Sequence, residues 1–153
     1  MTGIDAKLDE LGIILPEPAA PVANYVPYVI TGNHVFISGQ VSIGPNGLIA
    51  GKVGKDVSYE NGVEAAQACG VNLIAQLKNA CGGDLGRVKR VVKLGAFVNC
   101  ADDFTDQPKI VNGASDLMVA VFGDAGRHAR AAVGAPSLPM NAAVEIDGVF
   151  EID

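Results

Sequence analysis

Residues 128–153 read HARAAVGAPSLPMNAAVEIDGVFEID, two strand-like runs separated by a proline-bounded link. In the second run Ala142, Val144, Ile146, Phe150 and Ile152 fall on even positions, and Glu145, Asp147 and Glu151 on odd ones. Period-two alternation marks a strand with one face buried and one face open. The first run, residues 128–133, is short and apolar, with Arg130 among small neighbours. The link centres on Ser137 and Leu138, between Pro136 and Pro139, midway from Arg130 to Glu145. Folded as a hairpin, it sets Arg130 opposite Glu145. Carried past a neighbouring strand, it does not.

Upstream of this pair the periodicity changes. Val63, Ala66, Gly70, Leu73, Leu77 and Ala80 recur at steps of three or four, which predicts a long helix over 58–81. Ser58 can cap its start and Gly82-Gly83 can stop it. Val88 to Val98 reads as a buried strand. A second helix is expected from about Asp106 to Phe122, with Thr105 or Asp106 as cap, Pro108 tolerated in the first turn and Gly123 as the end. Near the start, Tyr28–Ile30 and Val35–Ile37 flank Gly32-Asn33, a two-residue hairpin signal. Pro45-Asn46-Gly47 makes the next turn, and Leu48–Val53 is expected as a third strand. Residues 1–24 carry Ile4, Leu8 and Leu11 on one helical face, with Pro16, Pro18 and Pro21 ending the stretch. They read as an arm laid on the domain. The predicted order is β-β-β-α-β-α-β-β, a mixed α/β (α+β) sheet with two helices packed on one face, in one domain over residues 1–153.

Composition narrows the function classes. The chain has 153 residues and a net charge of −6, against a broad nucleic-acid surface, because phosphate binding needs clustered Lys and Arg. Arg87, Lys89, Arg90 and Lys93 flank apolar Val88, Val91 and Val92 and read as the solvated start of a strand. Three cysteines without a C-x-x-C pair, and only two histidines, offer no metal site. The odd count fits reduced thiols in a cytoplasmic protein. No apolar run approaches the roughly 20 residues a membrane span needs. Hydrophobic residues make up 49% and charged residues 18%. That surplus of small apolar residues fits either a tightly packed Ala-rich monomer or a surface covered by another subunit.

Arg130 is the main candidate for chemistry. An Arg on an apolar strand reaches to water, pairs with a carboxylate or faces a ligand, and its forked donors match a carboxylate or phosphate. Glu145 is its natural partner, as a plain ion pair or as a carboxylate that holds and activates water. Gly39, inside an apolar strand, signals a bulge or a close approach. His128 lies two residues before Arg130 and is a site neighbour or a structural His; His34, beside the turn, is expected to be exposed. A thiol nucleophile made from Cys100 and His128 has no local support. G-x-S-x-G, P-loop and G-x-G-x-x-G signatures are lacking.

Taken together, Ala129-Arg130, Leu138-Pro139 and Val144-Glu145-Ile146 resemble the Rid (reactive intermediate deaminase) family, also called YjgF or L-PSP. Tyr25, Gly32-Asn33, Ile37-Ser38-Gly39-Gln40, Phe97-Val98, Asp103-Phe104 and Val111-Asn112 match it in order. The resemblance implies a chorismate-mutase-like fold and a homotrimer with sites in clefts between subunits. It implies hydrolysis of 2-imino acids or their enamines to 2-oxo acids and ammonia, without metal or organic cofactor. On that pattern Arg130 binds the substrate carboxylate and Glu145 positions water, while Tyr25, Gly39, Asn112 and Ala132 line the cleft. The same cleft without catalysis would make a trimeric binder of 2-oxo acids or other small carboxylates. Relatives have also been described as ribonucleases, which the acidic balance disfavours. Four features depart from the family: Ala131-Ala132 stands where a well-studied branch has Ser-Cys, His128 where Pro is usual, about four extra residues lie between Phe104 and Asn112, and the N-terminal arm is longer.

Overall fold

The computed structural model describes residues 3–18, 20 and 23–153; Pro21, expected to help end the arm, lies outside the described residues. The Gly32-Asn33 turn joins β1 (Tyr28–Thr31) to β2 (His34–Val41), with Thr31 opposite His34. Gly32 has φ +57°, the left-handed conformation that such a turn requires. The alternating run at the C-terminus is β7 (Val144–Ile152). Its even positions are buried from Val144 through Ile152, including Gly148.

The two helices lie close to their expected bounds. In α2 (Tyr59–Ala80) the Ser58 side chain accepts a hydrogen bond from the Asn61 N–H. At the other end Gly83 donates to Lys78 O, with Gly82 and Gly83 at φ +67° and +95°. This is the glycine stop that a left-handed C-terminus allows. In α3 (Gln107–Phe122) Asp106 occupies the cap position without a side-chain cap bond, and Pro108 sits in the first turn. The expected capping bond from Asp106 or Thr105 is therefore absent from α3.

The sheet runs β1-β2-β7-β5-β6, where β5 is Val88–Asn99 and β6 is Ala129–Ala135. One neighbouring pair is parallel, β5 with β6 across α3; the others are antiparallel. One open alternative is decided here and one expectation is corrected. The Pro136–Pro139 link does not fold β6 and β7 into a hairpin. It carries β7 past β5, so β5 separates the two strands. Residues 48–53 do not form a third strand of this sheet. Ile43–Gly44 (β3) and Gly47–Leu48 (β4) make a separate small hairpin, and Ala50 and Val53 form isolated bridges. Positive φ at Gly51 (+117°) and Gly54 (+86°) breaks the extended backbone there.

Both helices cover one face of the sheet. Leu94, Ala96 and Val98 of β5 and Ile146 and Phe150 of β7 are buried beneath Leu73 and Leu77 of α2 and Met118 of α3. Helix α1 (Gly3–Glu10) lies against α3 and buries Leu8, whereas Leu11 falls beyond the helix and is exposed. The helices approach closely because small residues face each other. A Cβ on Gly113 would collide with the Val63 carbonyl, and one on Gly70 would come within 2.9 Å of Leu117. Part of the small apolar surplus is therefore used in α2–α3 packing. The other sheet face is open: Val29, Phe36, Phe97 and Val133 are 52%, 47%, 38% and 49% exposed.

Candidate functional site

The register divides the expected site residues between two places. Arg130 pairs with Leu94, which is buried under the helices, so its side chain leaves the sheet on the helix side. Glu145 pairs with Phe97, three residues further along regular strand and on the open side. Their strands stand two spacings apart, roughly 10 Å. Arg130 and Glu145 do not form the ion pair that was one reading of the sequence.

On the helix side, Arg130 is half-buried at the edge strand. Its Nη1 donates to Asn112 Oδ1 (2.9 Å) and to Ser115 Oγ (3.1 Å). Asn112 and Ser115 are one helical turn apart on α3 and so share a face. Ala132, two residues beyond Arg130, lies on the same strand face and packs against the core. Among the described residues no carboxylate pairs with Arg130, and no group takes its Nε or Nη2. An ionised, part-buried guanidinium with its outer edge unfilled is suited to an incoming carboxylate.

On the open side, Glu145 lies against Gly39. A Cβ at Gly39 would stand 3.1 Å from Glu145 Cδ and 3.2 Å from Oε2, so the close approach expected of this glycine is made to a carboxylate. The β2–β7 register shifts between Ile37 and Gln40, which puts a bulge at Ser38-Gly39. Ser38 ties the bulge to the segment before β1: its Oγ donates to Val26 O (2.8 Å) and its N–H to Pro27 O (2.9 Å). Tyr25, exposed, precedes Val26. Burial chiefly, and then the Asp147 charge, raise the Glu145 pKa above the usual carboxylate range. Asp147 is itself raised by burial, against smaller lowering effects from the Gly95 backbone and Lys93.

Ser115 was not singled out in the sequence, although its spacing from Asn112 could have found it. His34 is exposed, as expected. His128 sits just ahead of β6 with Nε2 2.9 Å from Ser115 Oγ and Nδ1 2.6 Å from Gly126 O. Cys100 is buried just beyond β5, near the far end of β6 from His128, so the two do not form a nucleophile pair. Cys69 is core, its thiol donating to Val144 O and its pKa pushed up by burial. Among the described residues no three His, Cys, Asp or Glu side chains converge to hold a metal, and no helix is long and apolar enough to cross a membrane. A groove of about 480 Å³ lies between α1 and the end of α3; none of the expected site residues lines it.

The comparisons agree on the family. The sequence profile described as "YjgF/chorismate_mutase-like, putative endoribonuclease" matches residues 5–151. Protein TCP17 of Trypanosoma cruzi is 47% identical over 98% of this chain and 94% of its own. A 2-iminobutanoate/2-iminopropanoate deaminase of Dermatophagoides farinae is 29% identical over 92% of this chain and 95% of its own. The crystal structure of Atu1372 from Agrobacterium tumefaciens superposes with a TM-score of 0.92 at 47% identity, covering 98% of this chain and 92% of that one. With the mixed sheet and its one-sided helices, these matches show that the chain belongs to the YjgF/chorismate-mutase-like family.

Proposed function

We propose that this protein hydrolyses reactive 2-imino acids, or their enamine tautomers, to 2-oxo acids and ammonia. The observation that carries the reading is the Arg130 guanidinium, held through Nη1 by two neutral side chains, with no group among the described residues on its Nε or Nη2. That edge binds the substrate carboxylate in a bidentate fork. Glu145 holds a water and takes its proton as the oxygen attacks the imine carbon. The C=N π electrons move to nitrogen, which is protonated, and the resulting amino alcohol collapses to the C=O with loss of ammonia. The imine is already electrophilic, so orientation and polarisation supply most of the acceleration. The D. farinae relative carries a deaminase name of this class.

One chain presents the anchor and the base on opposite sheet faces, so the reading requires sites built between copies in a homotrimer. Tyr25, Gly39 and Glu145 come from one copy, and Arg130, Asn112 and Ala132 from the next. The exposed apolar residues of the open face, Val29 with Phe36 and Phe97 with Val133, support association, because burying them removes apolar area from water. Sedimentation should give three times the 15.7 kDa chain mass.

The test generates 2-iminopropionate and longer imines with an amino-acid oxidase and follows their trapping by semicarbazide. Wild type should shorten imine lifetimes, and Arg130→Ala should lower kcat/KM by about a hundredfold, the scale of losing charged hydrogen bonds. Imine lifetimes no shorter with wild type than without protein would rule out deamination, and equal shortening by both proteins would remove Arg130 from it. Saturable pyruvate binding without turnover would leave a carboxylate-binding trimer.

A further inference from the structure

Ser115 and His128 touch neither substrate nor water in the reaction as written above, yet they join Arg130 in a single chain of hydrogen bonds. Ser115 Oγ lies 3.1 Å from Arg130 Nη1 and 2.9 Å from His128 Nε2. His128 Nδ1 lies 2.6 Å from the Gly126 carbonyl oxygen. Donor and acceptor roles follow from the ends inward. The carbonyl only accepts, so Nδ1 carries a hydrogen. The guanidinium only donates, so Ser115 Oγ accepts from it. In the neutral ring Nε2 then has a lone pair, and the one hydroxyl hydrogen of Ser115 goes to it. Every group in the chain is satisfied in one arrangement.

We infer that Ser115 and His128 are positioning residues for Arg130, fixing the plane in which it presents its free edge to the substrate carboxylate. His128 is tethered to the backbone turn at Gly126, and through the hydroxyl it turns the Ser115 lone pairs toward Nη1. Asn112 holds the same nitrogen at 2.9 Å. Two acceptors on one nitrogen restrict rotation of the guanidinium about its long flexible stem. An unheld Arg loses that freedom when ligand binds; a held one has lost it on folding, so more of the ion-pair energy appears as affinity. The inference rests on the reading of Arg130 as the carboxylate anchor.

The experiment compares wild type with Ser115→Ala, His128→Leu, His128→Gln and the Ser115→Ala/His128→Leu double variant. Imine turnover gives kcat and KM separately, and calorimetry gives pyruvate affinity. Ser115→Ala and His128→Leu should each raise KM and weaken pyruvate about tenfold, with kcat changed less than about twofold, as expected for a lost hydrogen bond to a charged group. The double variant should be no worse than Ser115→Ala, since both break one chain. His128→Gln, which can place an amide oxygen where Nε2 stood, should restore most of the affinity. Nitrogen-15 NMR of the His128 ring should show hydrogen on Nδ1 and none on Nε2. Wild-type KM in Ser115→Ala and His128→Leu, alongside a damaged Arg130→Ala, would overturn the positioning role while sparing the deaminase reading. So would an Nε2–H ring, or a His128→Gln protein as weak as His128→Leu. If wild type neither turns over imines nor binds pyruvate, and Arg130→Ala matches it, the anchor reading fails and this inference fails with it.

Discussion

Arg130 and Glu145 lie on opposite faces of the sheet, with β5 between their strands. Within one chain they cannot act on one small substrate without breaking the register. A site between copies predicts complementation. Arg130→Ala and Glu145→Gln should each retain only about a hundredth of wild-type activity alone. Mixed by co-refolding or co-expression at equal amounts, they form interfaces in which one chain supplies the intact arginine and the next the intact glutamate. Random assembly gives about a quarter of interfaces that composition, so about a quarter of wild-type activity should return. No recovery in verified mixed oligomers would place both residues' action within one chain and sink the inter-subunit arrangement.

Gly39 controls where the Glu145 carboxyl can sit. A methyl at this position would stand 3.1–3.2 Å from Glu145 Cδ, Cγ and Oε2, so the carboxylate would have to shift by tenths of an ångström. Gly39 is exposed and carries no positive φ, so the backbone tolerates the change. Gly39→Ala should lower kcat/KM by about ten- to a hundredfold through misplacement of the proposed base, while Tm moves by no more than a few degrees. A fully active Gly39→Ala enzyme would mean that the position of Glu145 does not matter.

The acid limb of the pH–rate profile should belong to Glu145. Burial, and secondarily Asp147, hold its pKa up. A base works only when ionised, so kcat/KM should fall with decreasing pH through a midpoint above the ordinary glutamate value of about 4.3. Asp147→Asn removes a negative neighbour, favours the ionised base and should move the limb to lower pH. Burial persists, so the limb should stay above the unperturbed value. Stability responds in the other direction. Both carboxyls have folded pKa values above their unfolded ones. Their contribution to folding is present below the unfolded values and is lost as pH rises through the folded ones. Asp147→Asn should therefore lose less Tm than wild type as pH rises through the mildly acid range.

Much of this arrangement was legible in local sequence. The alternation of 142–152, the Gly32-Asn33 turn, the Ser58 cap and the Gly82-Gly83 stop each act within a few residues, and each is found at or near its expected place. What stayed hidden depends on neighbours far along the chain. Nothing between Pro136 and Pro139 states that β7 must pass β5; that follows from which strands bury their even positions against α2 and α3. The expected strand at 48–53 failed because two glycines adopt positive φ where the apolar pattern suggested extension. Ser115 is marked in the sequence only by its three-residue spacing from Asn112, and its link to Arg130 exists only once β6 lies beside α3.

The small-residue surplus yields a last prediction, about the helix pair. In an open helix, Gly→Ala stabilises by up to about 1 kcal/mol, because alanine loses less backbone entropy. At Gly113 the new Cβ would collide with the Val63 backbone carbonyl of α2, which cannot rotate aside. Relief requires the helices to separate, so the sign should reverse to a loss of about 1–3 kcal/mol, at roughly 2–4 °C of Tm per kcal/mol. Gly62 is the control. A Cβ there would meet Ile110 Cδ1 and the Val53 methyls at 3.1–3.2 Å, the flexible ends of side chains. Gly62→Ala should be near neutral by thermal denaturation, the helix gain offsetting the displacement. Equal stability of the two variants would mean that α2 and α3 are not held at backbone contact, and would leave the surplus of small residues to the proposed contact between copies.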